Sequence, residues 1–160
     1  MKWVTRSGVR LDRSACVWLI LRHLDPKAEI EFVNAKEMPR AVEEGALPFH
    51  NTVSEEPGSP ERTSFQELLA EYRQAQQDPA LELLGDIVHS AETKQAGSIA
   101  EGEGLRAIAK GMNSLSSSDQ EMVERMLPVF DALYAYCQRR VEGRRDWANT
   151  ESSWGDGGSD

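Results

Sequence analysis

The sequence predicts a mainly helical α+β domain, in which five to six helices pack around a small sheet of two to three strands formed by the N-terminal third. Alternation of apolar and charged residues, the pattern of half-buried strands, is confined to that first third. After residue 63 the apolar residues recur at helical spacing, and helix-start signals precede three of these segments. The 160 residues are enough for one domain with a single core.

The N-terminal third is predicted to run strand, helix, strand. Residues 2–5 are a β-prone run closed by Gly8, and Glu29–Val33 alternates charged and apolar side chains. Between them a helix is predicted over residues 13–24, with the Asp12 carboxylate as its N-cap and Asp25 at its end.

Three further segments complete this third. A short helix is predicted over residues 35–44, ending at Gly45. Residues 47–53 include Pro48 and are predicted to add an edge strand, where the missing N–H of proline is tolerated. Residues 54–63 hold two prolines and no apolar period, which predicts an exposed loop suited to a lid or rim.

Four helices are predicted to follow. Their ranges are 64–75, 79–91, 100–110 and 119–141, with a turn over 94–98. Ser64 and Ser118 each lead a capping box, in which a serine and a glutamate satisfy each other's free backbone N–H groups. Asp78 is the predicted N-cap of the second helix, Gly111 should end the third, and Pro128 should kink the fourth.

The domain is predicted to cover residues 1–142. The remaining segment, 143–160, is acidic, rich in Gly and Ser, and lacks an apolar period, so we expect it to be disordered.

Charge and composition exclude several classes of protein. The net charge of −9 disfavours binding to nucleic acid or to an anionic membrane. There is no run of 18 apolar residues and no secretory signal at the N-terminus, which predicts a cytoplasmic protein. Cys16 and Cys137 lie far apart in sequence and are expected to be reduced thiols.

A cluster of arginines is the first candidate site. The first 28 residues hold six basic and two acidic side chains, against the acidic balance of the whole chain. Arginine binds oxyanions and carboxylates through two parallel charge-assisted hydrogen bonds. The predicted anion-binding residues are Arg6, Arg10, Arg13 and Arg22. The alternative is that they pair with surplus acids elsewhere.

Cys16 is the candidate catalytic residue. It lies one turn past the start of its helix, where the helix dipole and Arg13 would lower the pKa of the thiol. The alternative is a small buried hydrophobe, because Cys16 shares an apolar helical face with Leu19 and Ile20.

A metal site is the third candidate. Imidazole and carboxylate ligands suit iron, manganese or zinc. The proposed ligands are His89, Glu92, Glu101 and His50. The alternative is an ordinary solvated acidic face of a helix. Nucleotide-binding loops and a serine-hydrolase elbow are absent from the sequence.

The chain also resembles a known family over nearly all its length to about residue 140. The matching N-terminal motifs are Trp3-Val4-Thr5-Arg6, Asp12-Arg13-x-Ala15-Cys16-x-Trp18-Leu19-Ile20, Asp25-Pro26, Ala28-Glu29-Ile30-Glu31-Phe32-Val33 and Pro48-Phe49. The later motifs are Ser64-Phe65-x-x-Leu68-Leu69, Asp78-Pro79-Ala80-Leu81, Ile87-Val88-His89-x-Ala91, Glu101-x-x-Gly104-Leu105-x-Ala107-Ile108 and Tyr134-Ala135-Tyr136-Cys137. These motifs resemble the bacterial chromate-resistance ChrB-type domain, usually found as the C-terminal part of chromate-resistance regulators.

The resemblance implies a domain that senses or handles an oxyanion, with or without a metal. It also shows a departure from the family, whose loop before Ser64 commonly carries a histidine and a cysteine where this chain has Gly58 and Thr63. His50 is a candidate replacement for that histidine.

Two other functions stay open. One is a metal-dependent redox enzyme, with the metal near Cys16 under a lid formed by residues 54–63. The other is an interaction module that has lost the family site. The expected partners are a small anion or small-molecule ligand and a second copy of the chain, and not nucleic acid or a membrane.

Overall fold

The computed structural model describes residues 1–49, 62–72, 77–93 and 99–143. The strands are β1 (Lys2–Arg6), β2 (Glu29–Val33) and β3 (Leu47–Pro48); the helices are α1 (Leu11–Leu19), α2 (Met38–Glu43), α3 (Ser64–Glu71), α4 (Pro79–Glu92), α5 (Ala100–Leu115) and α6 (Asp119–Val141). The predicted fold class, helical with a small N-terminal sheet, is confirmed. The predicted loop over 54–63 up to residue 61, the turn over 94–98 and the tail from residue 144 lie outside the described residues.

The three strands form one parallel sheet in the order β2-β1-β3. Trp3 of β1 is in register with Ile30 of β2 and with Leu47 of β3. Parallel neighbours require crossover connections, which α1 and α2 provide. Pro48 lies in an edge strand, as predicted.

Helix α1 is the centre of the core. It packs against α3, α4 and α6, and every residue from Ser14 to Ile20 is buried. A helix that is apolar on all sides needs partners on all sides, and the three later helices supply them. Trp18 is the largest fully buried side chain and lies against Phe65, Phe130 and Tyr134.

The predicted starts of three helices are wrong: α2 begins at Met38 rather than at residue 35, and the caps of α1 and α3 also differ from prediction. Helix α1 begins at Leu11 with Arg10 at the N-cap and no side-chain cap, so Asp12 does not cap it. The capping box of α3 joins Thr63 to Gln66, one residue earlier than predicted. Ser64 is therefore the first residue inside that helix rather than its cap.

The first helical segment ends at Leu24 as predicted, whereas α3, which ends at Glu71, and α5 differ from the predicted ends. Residues Ile20–Leu24 continue α1 as a π-helical turn, in which the N–H of Asp25 donates to the carbonyl of Ile20 (2.7 Å). Helix α5 runs on to Leu115, so Gly111 lies inside it and does not end it. The side chain of Ile108 on the same helix is 46% exposed.

Helices α4 and α5 approach each other closely at one glycine. A Cβ at Gly102 would lie 2.5 Å from the Oγ of Ser90, too close for any other residue without a shift. The same Ser90 Oγ accepts a hydrogen bond from the N–H of Ile99 at the start of α5 (2.9 Å). Among the described helices, none is both long and apolar enough to cross a membrane.

Candidate functional site

Arg22 is paired with an acid rather than free to bind an anion. Its Nε and Nη2 donate to the two carboxylate oxygens of Asp131 on α6, at 3.0 and 3.1 Å. The Nε1 of the buried Trp18 donates to the same carboxylate at 2.8 Å. The hydrogen bond from Arg22 lowers the pKa of Asp131, because it favours the ionised carboxylate. Arg22 therefore links α1 to α6.

Arg13 braces the turn between β1 and α1. Its Nη1 donates to the carbonyl of Arg6, and its Nη2 donates to the carbonyl of Gly8 at 2.7 Å. Burial lowers the pKa of Arg13, and the nearby charge of Arg6 lowers it further. Gly8 has a φ of +84°, so the turn depends on a glycine there.

The same turn is held from its other side by α6. The carboxylate of Asp119, the first residue of α6, accepts hydrogen bonds from the backbone N–H groups of Gly8 (3.1 Å) and Val9 (2.7 Å). The turn that ends at Arg10 is thereby fixed relative to α6.

Arg10 lines a cleft of about 500 Å³. The start of α1, the end of α4 and the second half of α5 form its walls. Its charged lining consists of Arg10, Arg106, Lys110 and Glu92, and we call it the basic cleft. Asn113 and Ser114 add polar groups along α5. Three cations and one carboxylate thus share one concave surface of an acidic chain.

Arg106 is held rigidly at the rim of the basic cleft. Its Nε donates to the carbonyl of Ala91 (2.7 Å), and its Nη2 donates to the carbonyls of Ser90 (3.2 Å) and Thr93 (3.1 Å). These are carbonyls at the end of α4, where a cation also interacts favourably with the helix dipole. Arg106 supplies a fixed positive charge.

Arg10 and Lys110, in contrast, are not held in place by hydrogen bonds of their side chains within the described ranges. Both are exposed, and in the described ranges neither side chain forms a hydrogen bond or an ion pair. An unpaired guanidinium and an unpaired ammonium on one cleft can both turn toward a bound anion.

Glu92 is the acidic member of the cleft. Loss of solvation raises its pKa, and the charge of Asp12 raises it further, while a hydrogen bond from the backbone N–H of Asp12 and the charges of Arg106 and Arg10 act in the other direction. The net result is a carboxyl group that takes up a proton more readily than an ordinary surface glutamate.

A smaller polar cleft of about 370 Å³ adjoins the basic cleft. It shares Arg10 and Asn113 with the basic cleft, and residues 116–118 add three serines to its lining. The hydroxyls of Ser116 and Ser117 already donate to the carbonyl of Met112 (2.6 Å) and to the carboxylate of Glu121 (2.7 Å).

Cys16 lies in the core, with no exposed surface. Burial raises the pKa of its thiol well above the ordinary value, and the charge of Asp12 adds to this effect. The expected lowering of the pKa is wrong, because desolvation outweighs the contribution of Arg13. A thiolate nucleophile at Cys16 has no support in this geometry. Burial likewise raises the pKa of Cys137, to about 12.

The proposed metal ligands do not form a cluster in the part of the chain that the structure describes. Over residues 1–49, 62–72, 77–93 and 99–143, no group of three or more His, Cys, Asp or Glu side chains is placed to hold a metal ion. Glu92 faces the basic cleft, whereas Glu101 accepts a hydrogen bond from Tyr136 at 2.6 Å. His89 is half-buried near the end of α4, and His50 lies outside the described residues. The metal site stays a prediction.

An apolar groove of about 660 Å³ lies between α5 and α6. Its lining includes Leu105, Met112, Val129 and Leu133, together with the exposed Ile108. Glu101, near one end, is bound to Tyr136, and Arg125 is bound to Glu121. This groove offers apolar contact area rather than groups that carry chemistry.

Of the predicted anion-binding residues, Arg10 lines the basic cleft, and the sequence analysis did not single out Arg106 and Lys110, which also line it. Those two lie four residues apart, a spacing that places them on one face of a helix. The excess of positive charge in the first 28 residues does not include them, because they lie in the remaining part of the chain, which is acidic. The structure does not bring Arg22 to the basic cleft, and it assigns Arg13 to the neighbouring turn.

Comparisons with known proteins give matches over most of this chain. The family model described as "ChrB, C-terminal domain" matches residues 3–137. Protein ChrB of Cupriavidus metallidurans is 30% identical over 135 residues, which cover 84% of this chain. The matched region spans 40% of the length of that relative. No solved structure gives a significant match.

Proposed function

Because the chain belongs to the ChrB C-terminal domain family, we propose that it contributes to chromate resistance by binding a small oxyanion in the basic cleft. One observation carries this proposal. Arg10, Arg106 and Lys110 converge on a single concave surface, although the chain as a whole has a net charge of −9. Such a local reversal of charge attracts and holds anions.

The hydrogen bonds of the other arginines support the choice of this cleft. Arg22 is occupied by Asp131, and Arg13 is occupied by the carbonyls of Arg6 and Gly8. Arg10 and Lys110, in contrast, have no ion-pair partner among the described side chains. Within the part of the chain that the structure describes, an incoming anion therefore breaks no ion pair of these two side chains.

The cleft also has the donors that an oxyanion needs. The Arg10 guanidinium suits two oxygens of a tetrahedral anion, and the Lys110 ammonium adds a movable point charge. Arg106 supplies a fixed cation, and the amide of Asn113 supplies a neutral donor. This set supports binding without covalent chemistry.

Isothermal titration calorimetry with sodium chromate tests the proposal. The double variant Arg10→Gln/Lys110→Gln should bind chromate at least about tenfold more weakly than wild type, because a hydrogen bond to a charged group contributes about 1.5–3 kcal/mol. The matched control, Lys27→Gln/Lys36→Gln, also removes two positive charges. Both side chains are exposed and neither lines the basic cleft, so this variant should bind as wild type does. Equal affinity of the cleft variant and the control would contradict the proposal.

A further inference from the structure

We infer that the apolar groove between α5 and α6 is the contact surface of a symmetric dimer, in which the groove of one chain packs against the same groove of a second copy. The dimer goes beyond the proposed anion binding and does not depend on it, because the groove and the basic cleft share no lining residue.

Ile108 is a large apolar side chain that a single copy of the chain leaves in water. It lies in the middle of α5 and is 46% exposed, whereas Leu105 of the same helix is buried. Both residues line the groove. An exposed apolar side chain within an apolar surface is typical of a protein–protein contact, because the contact removes that surface from water.

Gly104, one turn before Ile108, leaves a gap in the wall of the groove. A Cβ built at Gly104 would have nothing within 4 Å, so the space beside the backbone is open. Gly102 differs, because α4 approaches it closely. Glycine destabilises a helix interior relative to alanine, and in the described part of the chain no close approach at Gly104 requires it. A projecting side chain from outside the chain fits this gap.

The gap and the projecting side chain match each other under a two-fold axis. Gly104 and Ile108 are four residues apart and therefore lie on the same side of α5. When two copies of α5 pack in opposite directions about an axis between these residues, Ile108 of each copy covers the gap at the partner's Gly104. A surface that carries both the projection and the matching recess is self-complementary, which is what a symmetric dimer requires.

The charges of the groove follow the same symmetry. Its charged lining consists of Glu101 and Arg125, near the starts of α5 and α6. These helices run in opposite directions, since Tyr136 near the end of α6 donates a hydrogen bond to Glu101 (2.6 Å). Glu101 and Arg125 therefore lie toward opposite ends of the groove. The two-fold axis brings the acidic end of each copy to the basic end of the other, which gives two complementary contacts.

The groove also limits the repulsion between two acidic chains. One acid and one base give its lining no net charge, whereas each whole chain carries −9. Net charge far from zero keeps copies of a protein apart, so a neutral surface is where two of them repel each other least. One groove per copy is a small contact, and we expect a dimer that dissociates at micromolar concentrations.

Sedimentation equilibrium from micromolar to millimolar protein tests the inference. Wild type should follow a monomer–dimer equilibrium. Ile108→Asp should weaken dimer formation at least about tenfold, because it places an unpaired charge in the apolar contact. The matched control is Val42→Asp, which adds the same charge to α2 at a side chain that is 40% exposed and does not line the groove. It should dimerise as wild type does.

A second variant tests the gap without adding a charge. Gly104→Leu fills the gap, so it should also weaken dimer formation at least about tenfold. The monomer should stay folded, because the space is open and leucine favours a helix. Gly111→Leu is the control, since a Cβ there also has nothing within 4 Å and Gly111 does not line the groove. It should keep the wild-type dimer. Circular dichroism verifies that each variant is folded.

The outcomes decide between a second copy and other occupants of the groove. A wild-type protein that stays monomeric up to millimolar concentration would overturn the inference and leave the groove to a different partner. Dimers that survive both Ile108→Asp and Gly104→Leu would overturn it as well, because they would use another face. Calorimetry with chromate keeps this result separate from the anion proposal: folded, monomeric Ile108→Asp should bind chromate as wild type does.

Discussion

The carboxylate of Asp12 accepts a hydrogen bond of 2.8 Å from the backbone N–H of Ser64, 52 residues later in the chain. Its second oxygen accepts from the N–H of Phe65 at 3.0 Å. Asp12 thus lies inside α1 and stabilises the N-terminus of α3, where unpaired N–H groups and the helix dipole favour a negative charge.

Replacing Asp12 should therefore destabilise the fold through α3. We expect Asp12→Ala to lower the free energy of unfolding by about 1–2 kcal/mol, the usual contribution of an N-terminal cap. Urea denaturation followed by circular dichroism measures this. Glu29→Ala, which removes an exposed carboxylate from β2, should change the stability by less. Equal stability of both variants would show that the contact contributes nothing.

Asp131 should be more important for stability than its partner Arg22. Truncating Asp131 leaves the Nε1 of the buried Trp18 without its acceptor, which costs about 1–3 kcal/mol. Truncating Arg22 removes only an ion pair between two side chains that are each more than 40% exposed, which contributes about 0–1 kcal/mol. Chemical denaturation of Asp131→Ala and Arg22→Ala should reproduce this order; the reverse order would contradict it.

The carboxylate of Asp131 should also make the stability of the protein depend on pH. The pKa of Asp131 is lowered in the folded state, so its contribution is complete above the pKa of the unfolded chain and is lost as the pH falls through the folded value. Wild type should lose stability in acid, and Asp131→Asn should lose less over the same range. Melting temperatures measured from neutral to strongly acidic pH give the comparison.

Several elements follow from local sequence alone. Asp78 with Pro79 starts α4, Ser118 caps α6, and Gly45, with a φ of +99°, follows α2. Each of these features depends on residues within one turn of the chain, so the sequence is sufficient to predict it.

Other features depend on contacts that the sequence does not display. Asp12 has the residue type and position of an N-cap, yet its acceptors reach a helix that begins 52 residues later. Gly111 has the residue type of a helix end, yet α5 continues past it. Arg106 and Lys110 line the basic cleft beside the end of α4, and the close approach at Gly102 sets α5 against α4. Tertiary packing decides all three cases.

Cys16 should be inert in the folded protein. Its side chain is fully buried and the pKa of its thiol is raised, so a thiol reagent should modify it slowly in buffer and rapidly in denaturant. Cys16→Ala should keep wild-type chromate affinity, although it leaves a small cavity. A loss of chromate binding by a folded Cys16→Ala protein would show that Cys16 has a role in anion binding.

Anion binding should not require a metal ion. The cations of the basic cleft are side chains, so protein dialysed against a chelator should bind chromate with unchanged affinity. Metal analysis of the same samples shows whether any ion was removed. A chelator-dependent loss of binding, restored by iron, manganese or zinc, would favour the metal site predicted at His89 and His50.

The central claim, that an oxyanion binds between Arg10 and Lys110, is tested most directly by nuclear magnetic resonance. Titration of ¹⁵N-labelled protein with chromate should shift backbone signals of residues 10–12, 91–93 and 106–114, which surround the basic cleft. The signals around Arg22 and Asp131, at the far end of α1, should stay in place. Shifts confined to the region of Arg22, or absent from the cleft at saturating chromate, would contradict the account.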